Sequence, residues 1–342
     1  MLSKEKISDL FRDFENRKIL VIGDVMIDSY LWGKVERISP EAPVPIVSVN
    51  KRENRLGGAA NVALNISAMG AEAILCSVIG NDDKASEFNK LLEKRNLRTA
   101  CIYQSPDRIT TTKFRVIGNK AQMLRVDEEI TNGLSDIDTQ ELFGRIENLL
   151  EKESVDAIIF QDYNKGVLTS ALIHKVIELA NRREIPIVVD PKKKNFDTFQ
   201  NVRLFKPNLK ELKEGLKSEF DAKNFHELSN VIQLLHKNQN IDIVLTTLSD
   251  DGVFISARAP ENKFETHHIP AHRRSISDVS GAGDTVISLA TLCLTAGLPP
   301  EQIAAISNLG GGIVCEEVGV VPIKRERLFK EAINIFSKAY ES

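Results

Sequence analysis

Short, nearly unbroken apolar runs rich in Val and Ile recur along the chain at 18–23, 73–79, 155–160, 186–189 and 241–246. A strand buried on both faces has this signature, because neither side of its pleat meets water. Between the runs lie stretches with helical spacing of apolar residues, at 59–69, 83–95, 140–151, 170–183 and 225–237. Such alternation predicts an α/β fold, with a mostly parallel sheet and helices on both of its faces. Two segments, 30–55 and 100–127, break the rhythm with alternating polar and apolar residues and little helical character. They predict antiparallel strands inserted into the α/β body. These strands either pair with each other as a small β lid over one edge of the sheet or stand apart as surface hairpins. No internal repeat or low-complexity linker divides the chain, so a single domain over 1–342 is expected.

Hydrophobic residues make up 42% and charged residues 27%, an ordinary globular balance. The net charge of −3 gives no electrostatic case for a nucleic-acid partner, and the run Lys192-Lys193-Lys194 is too short for a basic tail. Cys76, Cys101, Cys293 and Cys315 include no CxxC pair, which suits reduced thiols better than a disulfide framework or a zinc site. His267, His268 and His272 lie close together but lack a Cys or HxxxH partner, so an exposed strand and loop is the plainer reading than a metal site. The opening MLSKEKISDLFRDFENRK is charged and amphipathic, unlike a signal peptide, and no run is long enough to span a membrane. A cytoplasmic location without a membrane partner is expected.

The sharpest chemical signal is Asp278-Val279-Ser280-Gly281-Ala282-Gly283-Asp284-Thr285, followed by an apolar helical run at 286–296. Glycines at a helix start let backbone N–H groups approach a ligand, and the helix end adds partial positive charge, so Gly281 to Gly283 form a candidate anion cradle. Asp284 beside it either accepts a proton from an attacking hydroxyl or merely caps the helix. Leu56-Gly57-Gly58-Ala59-Ala60-Asn61 opens a second helix, where Asn61 and bare backbone suit a polyhydroxylated ligand, although a simple turn explains the glycines equally well. Asp24 and Asp28 end the first strand, where ligands of open α/β sheets bind. Neither a P-loop nor a G-x-G-x-x-G after a strand occurs, which disfavours P-loop kinases and dinucleotide dehydrogenases.

Together, Gly57 to Asn61 and Asp278 to Asp284 resemble the two signatures of the ribokinase-like (PfkB) carbohydrate kinases. The stretches GDVMIDSYLWGKVERISPEAPVPIVSV, LGGAANVALNISAMGA, TTTKFRV, LRVDEE, DYNKGVL, DPKKKNF, FKPNLKEL and SGAGDTVI are similar, more narrowly, to the kinase domain of the ADP-heptose synthesis enzymes. The resemblance runs over about 18–322, and RISPEAPVP is its most specific part. It implies a ribokinase-like fold with a β lid and a kinase that uses ATP and Mg²⁺. It further implies phosphorylation of D-glycero-β-D-manno-heptose 7-phosphate at O1 on the route to lipopolysaccharide.

By the same resemblance Asp284 would be the catalytic base and Gly281, Ala282 and Gly283 the anion hole. Asp28, Asn61, Gly57 and Gly58 would hold sugar hydroxyls. Asn208 and Glu211 match an N-x-x-E motif that organises Mg²⁺ and the nucleotide phosphates, Glu211 acting through water. Thr247, Ser249, Gly252 and Asn308 fall at the nucleotide pocket, and Asp162, Lys165 and Lys192 at strand ends facing the cleft. Lys113, Arg115 and Arg125 of the lid either neutralise the substrate's own phosphate or form a solvated surface. Departures gather on the nucleotide side: Lys193, Ser249, Glu316, Glu317, and Gly310, Gly311 and Gly312 where alanines are common. Each helical glycine costs about 1 kcal/mol of helix stability. No HxGH motif of a C-terminal nucleotidyltransferase domain occurs before Ser342, which implies the stand-alone kinase form. A homodimer joined through the lids is a further expectation of the resemblance. Two other readings stay open: a kinase of another sugar or sugar phosphate, and a sugar-phosphate-binding regulator without catalysis. Intact Asp284, Asn208 and Glu211 weigh against the regulator.

Overall fold

A computed structural model describes residues 2–119, 121–221 and 223–337. Helix α1 (Lys4–Phe14) precedes β1 (Lys18–Gly23), the long strands β2 (Val25–Ile38) and β3 (Pro45–Gly58), and helix α2 (Ala59–Ala68). Then come β4 (Glu72–Gly80), α3 (Asp83–Lys94), β5 (Ile102–Ser105), β6 (Thr112–Gly118), β7 (Ala121–Glu128) and α4 (Asp136–Lys152). The chain continues through β8 (Ala157–Gln161), α5 (Ser170–Arg182), β9 (Ile187–Asp190), β10 (Leu204–Phe205), α6 (Leu209–Leu216), α7 (Phe225–Asn238) and β11 (Ile243–Thr247). It closes with β12 (Val253–Arg258), β13 (Phe264–Ile269), α8 (Ala282–Thr295), α9 (Pro300–Val314) and α10 (Arg325–Ala332). The expected helical tail is described only to Ser337. Helix α4 begins earlier than its apolar spacing suggests, because the Ser135 hydroxyl caps it by accepting from Asp138 N and Asp136 and Asp138 suit a first turn.

Nine strands form the body sheet in the order β13-β12-β11-β10-β9-β8-β1-β4-β5. From β11 to β5 all neighbours are parallel, and β12 and β13 finish one edge antiparallel. The unbroken apolar runs divide residue by residue between two cores. Ile19 and Val21 of β1 pack with α2 and α8 on one face, while Leu20 and Ile22 pack with residues of α4 and α5 on the other. The chain leaves β1 toward β4 on one side and reaches β8 on the other, so a crevice opens at the carboxyl ends of the central strands. Among the described residues no helix is long and apolar enough to cross a membrane.

The lid is a separate four-stranded sheet, β3-β2-β6-β7. It differs from the expectation in three ways. Its first segment begins at Val25 rather than residue 30, because only Asp24 separates β1 from β2. Its second segment does not begin at residue 100, since β5 pairs with β4 in the body sheet; the lid portion starts at Thr112. Finally, β2 and β6 run parallel, although β2–β3 and β6–β7 are antiparallel. Lys120, between β6 and β7, lies outside the described residues.

The glycines of α9, costly in an isolated helix, have a steric reason here. A Cβ at Gly310 would overlap Leu289 Cδ1 of α8, and one at Gly311 would come within 2.7 Å of Val286 Cγ2. At Gly312 a Cβ would lie 2.9 Å from Arg274 Nε. The glycines therefore let α9 close on α8 and leave room for a nearly buried arginine paired with Glu316 and Glu331.

Candidate active site

The carboxyl ends of β1, β8, β9 and β10 converge beside the N-terminus of α8. Gly281 caps that helix in the left-handed region (φ 83°), so the chain can turn sharply into it. The amides of Gly283 and Asp284 precede any intrahelical partner and carry the positive end of the helix. Upstream, the Asp278 carboxylate fixes the turn by accepting from Ser280 N and Gly319 N, each at 2.9 Å.

Asp284 is 3% exposed. Asn61 Nδ2 donates to its Oδ2 at 2.7 Å, the Tyr163 hydroxyl to its Oδ1 at 2.7 Å, and Gln161 Nε2 to Oδ1 at 3.3 Å. Burial pushes the carboxyl up to about 6, against the hydrogen bonds from Asn61 and Tyr163, and nearby Asp190 adds to the rise. Such a group is ionised at neutral pH yet basic enough to take a proton. Asp190 pairs with the buried Lys206 at 3.0 Å and accepts from Gln161 Nε2 at 3.1 Å. Asn61 Oδ1, Gln161 Oε1 and Asp190 Oδ1 are buried acceptors with no partner among the described residues. Three unmet acceptors in one linked network suit donors brought by a ligand or by a hydrated cation.

The nucleotide-side candidates cluster around α6. Asn208 and Glu211 form its capping box: Glu211 N donates to Asn208 Oδ1 and Asn208 N to Glu211 Oε2, both at 2.8 Å. Lys192 pairs with the other Glu211 oxygen, and its ammonium lies 5.7 Å from the Tyr163 ring centroid. Burial opposes the Lys192 charge, but Asp190 and Glu211 outweigh it and hold the group above its usual value. Both oxygens of Glu211 are thus engaged, and among the described residues no group of three or more His, Cys, Asp or Glu could hold a metal. Thr247 bridges to Asn208. Gly252 and Asn308 meet at the segment after β13, where Asn308 Nδ2 donates to Pro270 O at 2.9 Å. Ser249 is exposed in the turn between Thr247 and Gly252, with φ 57°.

On the lid side, Asp28 is 2% exposed and paired with Arg115; burial raises its pKa despite Arg115, Lys113 and Arg55 around it. A Cβ at Gly57 would overlap Asp28 Oδ2, so the glycine makes room for this carboxylate. Gly58, at φ 63°, turns the chain from β3 into α2 and so delivers Asn61 to Asp284. The pleat sorts the lid: Asp28, Tyr30, Lys113, Arg115, Arg125, Asp127 and Arg55 share one face, and Leu31, Phe114, Val116, Leu124 and Val126 the other. Arg125 is the most exposed of the three predicted lid cations and bonds to Asp127 at 2.9 Å, while Lys113 lies 3.6 Å from Asp127.

Two predicted substrate acids are engaged inside the protein. Asp24 accepts from the amides of Tyr163, Lys165 and Val167 at 2.8, 3.1 and 2.9 Å and so anchors the loop after β8. Asp162, pushed up to about 6 by burial and by Asp24, accepts from Asn164 N and Asn195 Nδ2. Lys165 pairs with Glu129 at 2.5 Å. Tyr163, Gln161, Asp190, Lys206 and Arg55 were not singled out from the sequence. Tyr163 lies within DYNKGVL, Asp190 within DPKKKNF and Lys206 within FKPNLKEL, so the motifs contained them without marking their roles.

Residues 16–326 match the pfkB family of carbohydrate kinases. The chain is 36% identical over 318 residues to the bifunctional protein HldE of Trichlorobacter lovleyi, covering 93% of this chain and 63% of that protein. It thus spans a little under two thirds of this curated relative's length. Phosphofructokinase-2 from Escherichia coli, in complex with substrates and products, shares the fold with a TM-score of 0.76 at 18% identity, over 94% of this chain and 99% of that one. Arabidopsis thaliana ribokinase, complexed with ribose and ATP, does so with a TM-score of 0.66 at 15% identity, over 92% and 99%.

Proposed function

The chain belongs to the pfkB family of carbohydrate kinases, and from that premise we propose that it phosphorylates D-glycero-β-D-manno-heptose 7-phosphate at O1, with ATP and Mg²⁺. The observation that carries the chemistry is Asp284, buried and basic, in the first turn of a helix whose free amides face the same space. The acceptor hydroxyl gives its proton to Asp284 as its oxygen bonds to the γ-phosphorus. The bond to ADP breaks with its electron pair left on the β-phosphate oxygen, and the free amides of Gly283 and Asp284 would face the charge on the moving phosphoryl group. The unpartnered Asp190 Oδ1 suits a hard cation that keeps most of its water, with Glu211 reached through water. Bound there, Mg²⁺ would offset phosphate charge.

Support for an acceptor that carries its own phosphate comes from the lid's charged face, where Arg55, Lys113, Arg115 and Arg125 outnumber Asp28, Glu53 and Asp127. The similarity to bifunctional HldE and the RISPEAPVP segment support the heptose. Leu124 and Val126 are 56% and 46% exposed on the opposite, apolar face of the lid, which favours a homodimer joined there. The deciding assay is ADP release from Mg²⁺·ATP with the heptose phosphate beside a panel of hexose and pentose phosphates. Turnover confined to the heptose is the expected result. Silence on the heptose with turnover elsewhere would leave the kinase and overturn its substrate.

A further inference from the structure

We propose that Tyr163, together with Gln161, is a positioning residue that occupies Oδ1 of Asp284 and thereby makes Oδ2 the atom that takes the substrate proton. The inference rests on Asp284 being the base.

A carboxylate oxygen offers two lone pairs. At Oδ1 both are engaged, by the Tyr163 hydroxyl at 2.7 Å and by Gln161 Nε2 at 3.3 Å. At Oδ2 the Asn61 amide is the one donor among the described residues, at 2.7 Å, so one lone pair stays open. The three donors also fix the plane of the carboxylate, and the open position is set by them rather than by the substrate.

Tyr163 is held as a tool for this task would be. Its backbone amide donates to Asp24, whose carboxylate also gathers the amides of Lys165 and Val167. Arg108 stitches the same loop to its neighbour, donating to Asn132 O at 2.6 Å and to Lys165 O at 2.5 Å. Gly166, at φ 93°, packs where a Cβ would overlap Asn132 O. The hydroxyl therefore reaches Asp284 from a braced loop. Asp24, placed by sequence reasoning among the sugar ligands, gains a different task in this account: it braces the loop that aims the base. Gln161 is tied in turn to Asp190 at 3.1 Å, so the cation side and the base share one network.

The test is Tyr163→Phe, which keeps the ring and removes the hydroxyl. A hydrogen bond donated to the ionised carboxylate favours that form, so losing it raises the pKa of the base. The acid limb of the kcat/KM profile, expected near pH 6 in the parent enzyme, should move upward by about one pH unit. Above the new limb kcat should be reduced by about tenfold, with the KM for ATP unchanged and the melting temperature recorded alongside. Gln161→Leu should move the limb in the same direction. A fall in kcat with the limb unmoved in both variants overturns the proposal, because a purely structural role would give that pattern. Asp284→Asn serves as the reference. If it retains turnover, or if the parent shows no acid limb, the base assignment fails and takes this inference with it. If Asp284→Asn is inactive, the parent limb is present and Tyr163→Phe leaves it in place, this inference alone fails.

Discussion

Replacing Asp284 with asparagine should cripple phosphoryl transfer and, at neutral pH, stabilise the fold. In the parent the carboxyl titrates at about 6 rather than at its ordinary 3.8. Its folded pKa lies above its unfolded one, so the native state binds the proton more tightly. The contribution of this group to stability is then greatest below pH 3.8, falls as pH rises through the window to about 6, and stays low above it. A gap of about two pH units at ~1.4 kcal/mol per unit comes to ~3 kcal/mol. A neutral amide escapes this penalty. Its oxygen can still accept from Tyr163 and Gln161, and its NH₂ finds a partner if Asn61 turns its unpartnered Oδ1 toward it. Denaturant unfolding of both proteins at several pH values measures the difference. The variant should be more stable by up to ~3 kcal/mol at pH 8, with the gap closing by pH 4. Turnover should fall by about 10²–10⁴ while nucleotide binding persists. A variant no more stable than the parent at pH 8, or a gap that ignores pH, would refute the claim that the carboxylate is held at a cost.

Two further outcomes concern the lid. Arg115→Ala leaves the buried Asp28 without its ion-pair partner and removes one of the face's four cations, so the KM for a phosphorylated acceptor should rise at least tenfold while the KM for ATP holds; an unchanged acceptor KM after Lys113, Arg115 and Arg125 are all made Ala would exclude a phosphate at this face. Leu124→Glu with Val126→Glu puts charge on the apolar face and should shift sedimentation from dimer to monomer, whereas an unaltered sedimentation coefficient would remove the lids as the interface.

The body of the fold was legible because strands buried on both faces must be apolar throughout. The runs at 18–23 and 155–160 thus announce themselves, and each divides between two cores once the sheet forms. Two-residue β10 was not legible, since so short a strand has no period to read. Nor was the assignment of β5, a four-residue strand at the edge of the body sheet that is buried only at its two ends and is too short to show a period. The N-x-x-E pair was legible as a motif, yet it turned out to be a helix cap as well, with its carboxylate also paired to Lys192. The roles of Tyr163, Gln161 and Asp190 had no local signal, although motifs contain two of them, because their meeting with Asp284 depends on crossovers separated by more than ninety residues. Spacing along the chain carries no trace of such an encounter. The three glycines at 310–312 looked like a weakness of α9 for the same reason: Leu289 and Arg274, which need the space, lie elsewhere in the chain.

The chain crosses between lid and body at Asp24, the Gly58 turn, Thr111 and the end of β7, with Ala59 N bonded to Asp24 O and Ile27 N to Thr111 O, and Arg55 adds side-chain bonds to Val318 O and Val320 O. Under the proposed function, the lid cations that would meet the acceptor's far end lie beyond those joints, and Asp284, the Gly281–Gly283 turn and Asn208 lie behind them. The lid is therefore separable as a cassette: its charged face lies at alternate positions of four strands, so substitutions there can change what meets the acceptor without touching the residues behind the joints.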